Sequence, residues 1–250
     1  MRVATKPSRN ELCSCGSGRK FKHCHGGLSA SAGLSPQTVR PQQIDALVSL
    51  LNQDRPAEAE VQAWEGIRSH PNAGLLWKIL GVAQAHQRKD ALQALRRAAE
   101  LMPKDAEALR NLGAALHDRG LWDEAVPTLQ AALALEPEHP AALVDAADSL
   151  RGLGRVREAV PLYQKALTLN AQDVEALNNL GNAYLELADH QRALEHYERA
   201  RRLRPMDAQV SGNVAHALLL LGRLDEAVTL GRRAVTLDPR SEERRVGKEC

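Results

Sequence analysis

A phrase of 34 residues recurs between Leu101 and Pro239 and limits what this chain can become. Pro103, Pro137, Pro205 and Pro239 stand in phase at 34-residue steps, with Ala171 at the one missing beat. Small and large apolar residues return at fixed offsets inside each phrase. Leu112-Gly113 and Leu180-Gly181 come early, with Ala146-Ala147 and Val214-Ala215 as variants; Ala125, Ala159, Ala193 and Ala227 follow, then Ala132, Ala166, Ala200 and Ala234. A period of this length denotes a solenoid, because one helical pair cannot bury its own apolar face and must stack on a neighbour. With hydrophobic residues at 44% and aromatics at only 3%, such helices pack through Ala, Leu and Gly.

The repeated residues resemble the tetratricopeptide repeat (TPR). The resemblance implies an all-α fold, a right-handed superhelical solenoid of helix-turn-helix repeats. About six units are expected at 40–73, 74–105, 106–139, 140–173, 174–207 and 208–239, the first degenerate and the second two residues short. That shortening falls at Gln87-Arg88-Lys89-Asp90, the turn between paired helices, where length changes cost least. Gly120, Gly154 and Gly222 mark the same turn in later units, with Ala188 substituting once. Pro127 and Pro161 are placed near the starts of second helices, where a missing donor is tolerated better than in mid-helix. The small residues on each first helix are expected to let the backbone of its partner helix approach closely, with Leu109, Leu143 and Leu177 filling the gaps.

Positions that the architecture leaves free carry the functional signal. In TPR proteins the residue before the Leu-Gly pair projects toward the concave face; here that residue is Ile79, Asn111, Asp145, Asn179 and Asn213, and Asn182 adds an amide one turn on. A carboxamide both donates and accepts, so a row of them can pair with the backbone of an extended peptide whatever its side chains. The row, and the phrase Ala176-Leu-Asn-Asn-Leu-Gly-Asn-Ala-Tyr184, resemble the asparagine ladder of O-linked N-acetylglucosamine transferases. Ile79 and Asp145 interrupt it, and Asn is also simply a common, soluble residue there.

A second signal precedes the repeats. Cys13, Cys15, Cys24 and His25 supply three thiolates and an imidazole, the donor set of a closed tetrahedral zinc site. Gly16 and Gly18 permit a tight turn between the ligand pairs. A segment this short has no useful core, so Zn2+ would supply most of its folding free energy. A disulfide or incidental free thiols are the competing readings. The block resembles the SEC-C motif at the C-terminus of the SecA translocation ATPase through Cys13, Cys15, Ser17, Gly18, Cys24 and His25; Ser14 replaces the usual Pro. In SecA the equivalent element contacts a chaperone and ribosomes, and Arg19, Lys20, Lys22 and His23 make this copy basic. A docking role and a mere folded cap are both open. Residues 1–27 therefore read as a zinc knuckle, joined to the repeats by a flexible linker at 28–41 rich in Gly, Ser, Ala and Pro.

Other features narrow the function class. The net charge of +2 gives no bulk case for DNA or an anionic membrane. No signal peptide or spanning segment is evident, so a cytoplasmic, bacterial protein is expected. Residues 240–250 abandon the repeat and resemble translated sequencing adapter, so the natural protein is expected to continue past Pro239. No nucleophile elbow, phosphate loop or second ligand cluster occurs, and His190 and His196 do not share a helical face; enzymatic activity is left uncertain. The leading expectation is a protein-interaction module holding extended polypeptide in its groove. The alternative is the recognition arm of a TPR-containing transferase (glycosyl-, sulfo- or methyl-), whose catalytic domain would lie beyond this chain.

Overall fold

The computed structural model describes residues 39–237. All regular structure within them is helical, in twelve α-helices. In chain order these are α1 (Pro41–Asn52), α2 (Pro56–Ser69), α3 (Gly74–His86), α4 (Leu92–Leu101), α5 (Ala106–Asp118), α6 (Trp122–Leu135), α7 (Pro140–Gly152), α8 (Val156–Leu169), α9 (Val174–Glu186), α10 (His190–Leu203), α11 (Ala208–Leu220) and α12 (Leu224–Leu237). Consecutive helices pack pairwise, and each second helix also packs on the next first helix. This is an all-α repeat array.

Local chemistry sets the boundaries. Pro41, Pro56 and Pro140 open their helices, where an absent N–H leaves no bond unmade. Asp105, Asp173 and Asp207 cap α5, α9 and α11, accepting from the amides of Ala108, Ala176 and Val210 at 2.8, 3.0 and 3.1 Å. Each pair turns through one left-handed residue: Asp54, Arg88, Gly120, Gly154, Ala188 and Gly222, with φ between 55° and 75°. Glycine takes that conformation without a Cβ penalty, and Ala188 takes it at φ 58° with one.

Two packing details differ from the sequence expectation. Pro127 and Pro161 are the sixth residues of α6 and α8, past the first turn. Both are exposed, so the carbonyls they deprive, on Asp123 and Arg157, meet water instead. The glycine of the first helix, moreover, receives a side chain rather than a backbone. A Cβ on Gly81 or Gly113 would stand 2.5 Å from Leu95 or Leu129, and one on Gly181 would clash with the Tyr197 ring. Those three knobs, and Tyr163 at the same place in α8, are almost fully buried; burying a side chain of this size contributes about 2–3 kcal/mol.

First helices also touch one another, α3 to α5, α5 to α7, α7 to α9 and α9 to α11, whereas among the described residues second helices make no comparable contact with second helices. The first helices therefore lie on the inner side of the curvature. Among the described residues no helix is long and apolar enough to cross a membrane.

Candidate functional site

The inner side is lined by α5, α7, α9 and α11, and the ladder residues fall on these helices. Asn111 is half-buried on α5, with no side-chain hydrogen bond among the described residues. Ile79 instead packs in the core of the first two pairs, 5% exposed. Asn179 donates an Nδ2 hydrogen to Asp148 at 2.9 Å, one repeat back. Asn182 accepts from the Tyr197 hydroxyl at 2.6 Å within its own repeat. Asn213 donates to the Asn178 side-chain oxygen at 3.3 Å. Three of the four amides are thus tied to neighbouring elements, and each keeps further donor or acceptor capacity.

The acidic part of this surface belongs to α7. Asp148 accepts from the Tyr163 hydroxyl as well as from Asn179, and Arg151 approaches at 3.7 Å. Burial raises the Asp148 carboxyl above the ordinary range, against the pull of the Tyr163 bond and the Arg151 charge. Asp145, one turn earlier, makes no side-chain hydrogen bond among the described residues. Burial pushes its carboxyl up to about 6; His117 opposes, while Asp148, Asp118 and Glu175 add to the rise. The Tyr163 and Tyr197 hydroxyls are also raised, foremost by burial.

The buried Ser149 donates its single hydroxyl hydrogen to the Asp145 carbonyl at 2.7 Å. His117 Nδ1 lies 3.1 Å from the same Oγ and hydrogen-bonds with it across the two helices. The fully buried Ser149 is therefore a strut between α5 and α7. Among the described residues no three His, Cys, Asp or Glu side chains gather to hold a metal. His196 stacks on Tyr184 at 5.5 Å and is a packed side chain. Cys13, Cys15, Cys24 and His25 lie outside the described residues.

Sequence reasoning missed Asp148 and Asn178. Asp148 occupies the 34-residue equivalent of Asn182 and was reachable from it; Asn178 immediately precedes Asn179. The arrangement offers a line of amides and carboxyls along an inner face.

Paired helices stacked in phase, with a polar inner face, define a helical-repeat protein. Family comparison specifies the repeat: the Tetratricopeptide repeat models match residues 105–172, 140–206 and 178–242, together more than half of the chain, which belongs to the tetratricopeptide-repeat family. Residues 9–27 match the SEC-C motif. That segment is 82% identical over 22 residues to the protein translocase subunit SecA of Ehrlichia canis (strain Jake), and 69% identical over 28 residues to that of Pseudomonas fluorescens (strain Pf0-1). The likeness covers 9% and 11% of this chain but only 3% of either SecA. Among solved structures, Pseudomonas aeruginosa pilF is similar over 83% of this chain and 96% of its own (TM-score 0.68, 17% identity). YrrB, described as a TPR protein with an unusual peptide-binding site, is similar over 75% of this chain and 98% of its own (TM-score 0.62, 18% identity). At these identities the structural likeness speaks to the fold.

Proposed function

We propose that this chain is a polypeptide-binding adaptor whose inner face holds an extended segment through Asn111, Asp145, Asn179, Asn182 and Asn213. The observation that carries this reading is the line of half-buried amide and carboxyl groups along α5, α7, α9 and α11, which retain hydrogen-bonding capacity after their internal bonds are counted. Amides serve a peptide backbone; Asp145, without an internal donor, serves an N–H or a cationic side chain. The peptide-binding site described for YrrB supports the same use of the scaffold. A random peptide library displayed on phage tests the reading, with the selected peptides titrated by fluorescence anisotropy. Exchanging Asn179 and Asn182 together for Ala is expected to weaken them about thirtyfold, from two lost hydrogen bonds at about 1 kcal/mol each. Failure to select any peptide, or unchanged affinity in the double variant, overturns it.

The SEC-C segment adds a zinc-held docking module. Three thiolates and one imidazole at Cys13, Cys15, Cys24 and His25 fit a closed Zn2+ site. When bound, the ion supplies folding free energy and no reaction. The basic residues Arg19, Lys20 and Lys22 then offer a small cationic surface suited to an acidic partner, such as a chaperone or a ribosome. Metal analysis of the purified chain is expected to give about one zinc per chain. A value near zero after gentle preparation overturns the metal site and leaves the groove untouched.

A further inference from the structure

Charge is divided unevenly along this chain. Residues 1–27 hold six basic side chains, Arg2, Lys6, Arg9, Arg19, Lys20 and Lys22, against one acidic, Glu11. Zinc held by three thiolates would add one net negative charge and leave the segment cationic. Residues 28–39 carry no charge, and residues 40–239 hold 23 basic and 27 acidic side chains. The near-neutral total therefore hides a basic end and an acidic array.

Within the array the acidic excess gathers on the inner side. At the second helices Glu58, Glu158, Glu198 and Glu226 are each matched by an arginine three residues away. The cations of the inner side are already engaged: Lys78 with Asp105 and Glu107, Arg110 with Glu136, and Arg151 with Asp148 and Glu186. Asp118 on α5, Asp145 on α7 and Glu175 on α9 are left without an ion pair among the described residues. Asp118 and Glu175 are exposed, and Asp145 is half-buried. Burial raises the Asp145 carboxyl, and the charges of Asp118 and Glu175 add to the rise, so the three carboxylates share one place. Backbone amides alone leave such a patch uncompensated; its complement is a cationic group.

The basic segment can reach it. Successive first helices touch from α1 through α3 and α5 to α7. At interaxial steps of roughly 8–10 Å, the patch lies about 30 Å from the start of the array. The 15 residues 26–40 can span about 50 Å when extended. A tether of this length gives a local concentration of roughly millimolar, which populates even a weak contact.

We infer that the SEC-C segment docks on the inner face of its own array, with Arg19, Lys20 and Lys22 set against Asp118, Asp145 and Glu175. The docking needs no peptide ligand and so stands apart from the peptide reading. Its consequence rests on that reading: a ligand of the inner face must first displace the segment.

Zero-length carbodiimide crosslinking of lysine to carboxylate tests this on the full chain, with unlabelled and nitrogen-15-labelled protein mixed in equal parts. Lys20 or Lys22 is expected to join Asp118 or Glu175 within a single isotope, as read by mass spectrometry after proteolysis. The yield should fall at least about fivefold in about 0.5 M NaCl, where the screening length is ~4 Å. Asp145→Asn leaves both acceptors in place and should lower the yield about threefold. Crosslinks that favour carboxylates elsewhere, such as Glu65 or Asp225, overturn the inference, as does the absence of any from Lys20 and Lys22. So do crosslinks that join the two isotopes, because the segment would then dock on a second copy. The triple variant Arg19→Gln, Lys20→Gln, Lys22→Gln should bind an inner-face peptide about threefold more tightly than the parent. An unchanged affinity overturns the displacement. Should no peptide bind, the peptide reading falls while the crosslinks still decide the docking.

Discussion

Asn179 on α9 donates to the carboxylate of Asp148 on α7 at 2.9 Å, and so one rung of the inner ladder joins two repeats before it meets any ligand. Asp148 is largely buried and holds the Tyr163 hydroxyl as well. The same oxygens that line the inner face therefore help to fix how successive repeats stack. Function and architecture share these side chains, so a substitution here perturbs both.

Asn179→Ala leaves a largely buried carboxylate with one donor fewer. The array is expected to lose about 1–2 kcal/mol in urea unfolding. Asp148→Asn keeps an acceptor for Tyr163 and removes the buried charge, so it should cost less than Asn179→Ala. A larger loss in Asp148→Asn would show that the negative charge itself holds the repeats together.

Asp145 gives a pH signature. Its carboxyl is raised from the ordinary 3.8 to about 6, foremost by burial. A raised carboxyl costs the fold nothing while it is protonated in both states. The cost grows as pH climbs from the unfolded value through the folded one, because the unfolded chain releases its proton first. The ionised group should cost the array on the order of 2 kcal/mol at pH 7, after discounting for partial exposure. Asp145→Asn is then expected to exceed the parent in stability at pH 7 and to match it near pH 4. Equal stability at both pH values would mean that Asp145 is solvated.

The repeat itself was legible because the 34-residue period is written in residues whose size matters. Gly181 must be small, since a Cβ there would run into the Tyr197 ring. The turns were legible at Gly120, Gly154 and Gly222, and the substitution at Ala188 was visible by phase alone; all four have positive φ. The partners of the inner residues were less legible. Asn179 reads as a free amide in the sequence because its acceptor, Asp148, lies 31 residues away and on another helix. The caps escape a search for apolar period although their signal is present, an Asp two residues after Pro103, Pro205 and the Pro-equivalent Ala171. Gly231, where a Cβ would meet nothing within 4 Å, was unreadable for a different reason: a small residue in a helix looks alike whether it receives a knob or leaves a hole.

Two glycines separate these cases. Gly181→Ala drives a methyl into the Tyr197 ring and should destabilise by about 2 kcal/mol. Gly212→Ala meets open space and should stabilise by up to about 1 kcal/mol through helix propensity. Thermal unfolding followed by circular dichroism reads both, and a destabilised Gly212→Ala would mean that this space is closed in solution.

His139 fills the capping position that Asp105, Asp173 and Asp207 fill elsewhere. Its Nδ1 accepts from the Ala142 amide at 3.3 Å, longer than the 2.8–3.1 Å of the aspartates. Only the neutral ring can accept, and burial, aided by the Arg110 charge, lowers its pKa below 6.5. A lowered histidine stabilises the fold above its unfolded pKa and loses that contribution as pH falls through the folded value. His139→Asp should therefore stabilise the array by about 1 kcal/mol at pH 5 and by less at pH 7.5. Asp173→Ala, the converse change, should cost about 1 kcal/mol at either pH. If His139→Asp gains nothing at pH 5, the imidazole is not acting as the cap of α7.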